Sequence, residues 1–175
     1  MKLVQEINFS GSSNPVDYTN VFTSNYNDYK IIIDNFAADA TLNLGLQLIN
    51  SSGVAQNSYE YTYMIHRSYG AMTQSGSRTN TEIAVGGYCN LTNGGAKANG
   101  AEFTVFHPYD SSSYTSVESS SFGTGEGYDS GLGEGHGVGH TSKGIFMANQ
   151  SITGVRFIIS SGNITELQGG IYGFD

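Results

Sequence analysis

The decapeptide Thr41–Asn50, TLNLGLQLIN, places Leu42, Leu44, Leu46 and Leu48 at every second position. Thr41, Asn43, Gly45 and Gln47 fall between them. In a helix that spacing would scatter the leucines around the axis. In a strand it puts all four on one face. Leucine is a good helix former, so propensity and periodicity disagree here. Periodicity decides, because only the strand buries the four side chains together. A half-buried strand is predicted.

A second stretch, SYEYTYMIHR at 58–67, repeats the alternation: Tyr59, Tyr61, Tyr63 and Ile65 share one face, and Glu60, Thr62, Met64 and His66 the other. The connection NSSGVAQN is rich in turn formers, so the two stretches read as a hairpin or near-hairpin. Further strands are expected at 2–9 (Leu3, Ile7 and Phe9 inward), 29–36, 81–89, 101–107 (Phe103 and Val105 against Thr104 and Phe106), 144–148, 152–160 and 168–174. About nine strands with turn signals between them predict an all-β fold. The expected architecture is a two-sheet antiparallel β-sandwich, jelly-roll-like, in one domain over 1–175. Two segments stand outside the pattern. Residues 67–80 read as a polar loop, and residues 108–144 as a long Gly/Ser-rich insertion, a loop or arm.

Composition agrees with this reading. The chain has 175 residues, 24 Gly, 12 Tyr, only 2 Pro and no Trp. A domain of this size buries roughly 70% of its unfolded surface and needs no covalent staple. The lone Cys89 excludes an internal disulfide and reads as a small buried apolar residue rather than a nucleophile. A net charge of −8 argues against nucleic acid or anionic lipid as a partner. No basic, apolar leader precedes the first strand, and the longest aliphatic run is Ile31–Ile33, so neither a secretory signal nor membrane insertion is expected.

The run GTGEGYDSGLGEGHGVGH, Gly123–His140, has glycine at every odd position except Asp129. If extended, it has one nearly bare face, which lets another backbone approach closely. Gly133, Gly135, Gly137 and Gly139 are therefore candidates for an interface between subunits. His136 and His140 would lie about 13 Å apart at ~3.3 Å per residue, too far to share one ion, and no metal site is assigned. The run lacks the spacing of a phosphate loop, and GYDSG around Ser130 is not a nucleophile elbow. His66 and His107 occupy ordinary positions, and no carboxylate pair is marked for acid–base work. No catalytic residue and no cofactor are assigned. The tyrosines carry more information. Most pack on sheet faces, but Tyr69, Tyr109, Tyr114 and Tyr128 fall in loops, where an apolar ring with a hydroxyl suits a binding surface.

Tyr26, Tyr29 and Ile31, then Ser52 and Gly53, then Ile152, Val155, Phe157, Ser161, Gly162, Asn163, Ile164, Tyr172 and Gly173 form a gapped pattern over most of the chain. It resembles a family of small β-sandwich virion proteins of tailed bacteriophages, especially phages of marine bacteria and cyanobacteria. The matching residues define a fold and none is catalytic. The resemblance implies a structural role in the virion, and the start at Met1 with the close at YGFD leads to the expectation of a complete small protein on its outer surface. Its expected partners are other virion proteins and further copies of itself, with a host surface glycan as a contact. The resemblance does not fix the location; taken with the acidic charge and the loop tyrosines, tail fibre or tail tip is the first reading. A capsid decoration protein is the second, and a free carbohydrate-binding module or jelly-roll enzyme stands outside the virion. The 108–144 region departs from the family pattern.

Overall fold

A computed structural model describes residues 1–39, 42–67, 72–89, 100–125 and 136–175. Among these residues twelve strands form: β1 (Lys2–Ser13), β2 (Val16–Tyr18), β3 (Asp28–Ala38), β4 (Leu42–Asn50), β5 (Tyr59–Arg67), β6 (Thr73–Asn80), β7 (Ile83–Cys89), β8 (Gly100–Phe106), β9 (Thr115–Gly125), β10 (His136–Phe146), β11 (Ile152–Ile159) and β12 (Ile164–Phe174). They build two antiparallel sheets, one ordered β1-β12-β3-β8-β9-β10-β5-β6 and the other β2-β11-β4-β7.

The pairings are nested: β1 with β12, β2 with β11, β3 with β8 and β4 with β7. The chain is thus a long ribbon of antiparallel pairs rolled over itself, and successive pairs alternate between the two sheets. That is the jelly roll. Two hairpins, β5–β6 and β9–β10, are inserted into it and widen the larger sheet from four strands to eight.

The core lies between the sheets. Leu44, Leu46 and Leu48 of β4 are at most 3% exposed, as their alternation predicts. They meet Ile31, Ile33, Phe103 and Ile171 of the large sheet within one cluster. Tyr29, Ile31, Ile152, Val155, Phe157 and Ile164 are all fully buried. Tyr26 stands edge-on to Tyr29 at 5.9 Å and lies so close over Gly173 that an added Cβ would overlap its ring.

Four expectations are corrected. First, β4 and β5 are not a hairpin. They belong to opposite sheets, and the Tyr59 hydroxyl bridges the gap by accepting from the Leu48 N–H at 2.7 Å. Burial on the shared inner face satisfies both alternating patterns equally well, so periodicity alone could not choose. Second, residues 108–144 are not simply a loop or arm, since β9 and most of β10 come from them. Third, 73–80 of the presumed polar loop is the edge strand β6. Strands β9 and β10 hid because most of their inward positions, Thr115, Ser119, Ser121 and Ser142, are polar, and β6 because Thr73–Asn80 holds no apolar side chain at all. Fourth, Leu3 is 53% exposed. A register shift between Leu3 and Gln5 changes the parity of the strand and brings Val4 onto the core in its place.

Candidate functional site

The inner face of the inserted hairpins is polar and still buried. Thr115, Ser119, Ser121, His140 and Ser142 are each at most 8% exposed. Cross-strand neighbours Ser119 and Ser142 satisfy each other through a 2.6 Å hydrogen bond. His140 stacks on Tyr63 of β5, with ring centroids 5.1 Å apart and planes 19° apart. Its Nδ1, like Thr115 Oγ1, has no hydrogen-bond partner among the described residues. Burial first, and then the nearby His66, push the His140 pKa down from 6.5 to about 4. The imidazole is therefore neutral at pH 7.

This has a consequence for acid stability. A histidine whose folded pKa lies below its unfolded value contributes full stability above pH 6.5 and loses it as the pH falls towards 4. At about 1.4 kcal/mol per pH unit, the loss is on the order of 3 kcal/mol. Denaturant midpoints measured from pH 7 to pH 4.5 are expected to fall accordingly. His140→Phe keeps the stacked ring, removes the titrating nitrogens and is expected to flatten that slope. A wild-type slope that survives in the variant would place the titration elsewhere.

On the opposite face of the same strands runs a groove of about 620 Å3, lined by Glu60, Thr62, Arg78, Glu118, Lys143 and Ile145 among others. Lys143 and Glu118 pair across it at 2.6 Å. Both are well exposed, so the pair contributes at most about 1 kcal/mol.

Of the four candidate binding tyrosines, Tyr69 and Tyr128 lie outside the described residues. Tyr109 and Tyr114 share the connection between β8 and β9, and are 42% and 49% exposed. This loop is held firmly. His107 adopts φ 50°, and its N–H donates to Asp28 Oδ1 at 3.0 Å. Asp110 accepts from the Ser112 N–H and from the hydroxyls of Ser112 and Ser113, which holds its carboxyl below the usual range. The loop is also tied to the start of β11: the Ile152 N–H donates to the Pro108 carbonyl at 2.6 Å, and the Ser151 hydroxyl to the Tyr109 carbonyl at 2.9 Å.

Gly133 and Gly135 also lie outside the described residues. Gly137 and Gly139 stand in β10, opposite Thr124 and Phe122 of β9, and Gly139 faces His66 on its other side. These pairings lie in the plane of the sheet; the bare glycine face is perpendicular to it.

Among the described residues, no group of three His, Cys, Asp or Glu side chains comes together to hold a metal ion. Among the described residues, no helix is long and apolar enough to cross a membrane. The buried histidine and serines were the residues that sequence reasoning missed. Their only signal was the strict alternation of Ser119, Ser121 and Thr115 with outward residues. No protein family, curated protein or solved structure matches this chain.

Proposed function

We propose that this protein is a non-enzymatic structural component of the outer surface of a tailed-phage virion, associated with the tail fibre or tail tip. The observation that carries the reading is the place of the resembling residues in the fold. Tyr26, Tyr29, Ile31, Val155, Phe157, Ile164 and Gly173 belong to β3, β11 and β12 or the approach to β3, where the two sheets of the jelly roll are joined. A pattern spent on that joint is a fold signature. The jelly roll is a common architecture of viral shells and lectins. That analogy supports the reading at the level of fold only. The acidic charge and the tethered loop tyrosines suit a surface that meets other proteins, with a host glycan as a further contact.

The test is immunogold electron microscopy with an antibody against the recombinant chain, on virions purified from the source of the sequence. Gold at tail tips or fibres is the expected result. Gold over the heads would make the protein a capsid decoration component. Particles that carry no gold would overturn the virion assignment.

A further inference from the structure

The nested pairs close the jelly roll without the hairpins β5–β6 and β9–β10, which stand side by side in the large sheet. Their outward face is hollowed. The groove of about 620 Å3 shares Thr62, Gly76 and Lys143 with a second hollow of about 500 Å3, which extends it to Met64, Gln74 and Thr141. Together they form a trough across β6, β5, β10 and β9. One row of residues crosses its middle: Gly76 opposite Thr62, Thr62 opposite Lys143, and Lys143 opposite Glu118. The larger hollow alone falls within the ~300–1,000 Å3 usual for ligand sites.

The lining mixes donors and acceptors of both signs. Lys143 is paired with Glu118, whereas Arg78 and Glu60 enter no ion pair among the described residues. The cations donate, the carboxylates accept, and the hydroxyls of Thr62, Ser116 and Thr141 do either. Sugar hydroxyls also do both, and their bonds to charged groups are the strong ones. Neighbouring strands lie ~4.8 Å apart, close to the length of one pyranose ring. A sugar chain laid across the trough therefore meets about one strand per ring. Apolar surface for the C–H faces of such rings is present too. Ile145 is 41% exposed in the trough, and Phe122, farther along β9, is 57% exposed. Phe122 stands between Gly100 and Gly139. Packing does not demand glycine at 139, since an added Cβ would meet nothing nearer than 3.6 Å. Its effect is to leave the flank of the Phe122 ring uncovered.

We infer that this trough binds an uncharged, hydroxyl-rich saccharide chain laid across the four strands. A polyanion does not fit: the carboxylates of Glu60 and Glu118 offset the charges of Arg78 and Lys143, and the whole chain carries −8, so no field draws one in. An extended peptide gains its affinity by adding to a sheet edge. Here β5, β10 and β9 each have strands on both sides, and their backbone groups are already paired. The inference rests on the glycan contact of the proposed reading and deepens it, but it does not need the virion assignment.

The test uses the full chain on an array of neutral oligosaccharides of glucose, galactose, mannose and N-acetylglucosamine, with alginate as the polyanion and titration calorimetry on the sugars bound. Binding is expected to strengthen with length up to about four sugars, one per strand. Raising NaCl from about 50 mM to about 500 mM should change it less than about twofold, because the ligand is uncharged. Arg78→Ala and, separately, Lys143→Ala should each weaken it by about tenfold or more, through lost charged donors, with unchanged melting. The control is Tyr109, which lines neither hollow. It lies in one of three loops, 50–58, 107–114 and 147–151, that are tied at one end of the sandwich. There the Met147 N–H donates to the Ser58 carbonyl at 2.9 Å, and Gln150 bonds Gln56. Tyr109→Ala is expected to bind as the wild type does. Binding to none of the neutral sugars, binding indifferent to both trough variants, or a preference for alginate that high salt abolishes would each overturn the inference. Binding lost only in Tyr109→Ala would also overturn it, while leaving the glycan contact itself in place at the loops. The virion assignment stands or falls separately, on the immunogold result.

Discussion

Leu46→Asp is expected to abolish folding. Leu46 is fully buried in β4, paired with Phe157 on one side and Ile83 on the other, and both of those side chains are also fully buried. The substitution removes about 2–3 kcal/mol of apolar burial. It also forces a carboxyl group either to ionise in an apolar layer or to stay protonated without a partner, at a further cost of several kcal/mol. Together these approach the whole stability of a domain, roughly 5–15 kcal/mol. Far-ultraviolet circular dichroism and a melting scan should show an unfolded or insoluble chain. Thr62→Asp supplies the control. Thr62 lies opposite Lys143 on the outer face of β5, and an added carboxylate there is expected to change stability by no more than about 0.5 kcal/mol. If Leu46→Asp melted like the wild type, the inner face of β4 would be wrongly assigned, and the sandwich with it.

Gly169→Ala is expected to be the most damaging substitution of a single methyl group. Gly169 has φ 152°, in a region that residues with a side chain rarely enter. It sits at the register shift where β12 leaves Gln168 opposite Asn35 and resumes with Gly169 opposite Ile33. Ile7 of β1 pairs with it from the other side. An added Cβ would overlap the Ile32 carbonyl oxygen and come within 3.0 Å of the Ile33 Cα. Both are backbone atoms of a central strand and cannot turn aside as a side chain could. Strained φ alone costs about 1–3 kcal/mol, and the overlap adds a displacement of β3. A loss of at least ~3 kcal/mol in chemical denaturation is expected. Gly139→Ala isolates the cause. There the added Cβ would meet His66 at an ordinary 3.6 Å, and the exchange should be neutral or stabilising by up to about 1 kcal/mol. Equal losses at the two positions would show that neither local space nor φ governs the effect.

The order of these effects shows which features the sequence expresses. Where burial has period two, as at Leu44, Leu46 and Leu48 or at Phe103 and Val105, the fold class and the inner face are legible in the chain. Each such residue encodes its own environment, because water excludes it regardless of which strand lies beside it. The fully buried Tyr29, Ile31, Ile152, Val155, Phe157 and Ile164 are of this kind. The order of the strands is not. The alternation in 42–50 and 59–66 is satisfied equally by a hairpin or by two facing sheets, and the choice was made by β11 and β7, which flank β4 from distant parts of the chain. Strands β6 and β9 gave little signal, because backbone hydrogen bonds to a neighbouring strand hold them and the side chains on their inner face are largely polar.

The candidate sites divide in the same way. Tyr109 and Tyr114 could be picked from the sequence as loop aromatics, because a bulky ring between turn formers is a local feature. The burial of His140 against Tyr63 and the cross-tied loops that carry Val54, Tyr109, Tyr114 and Met147 could not. They join segments as many as 94 residues apart, and a hydrogen bond such as Met147 N–H to Ser58 leaves no trace in either segment alone. Along the regularly alternating strands, the sequence by itself determined which apolar residues leave water. Only the tertiary structure decided which of them meet, because pairing is settled by competition among all strands at once and a site is made from whatever that competition brings together.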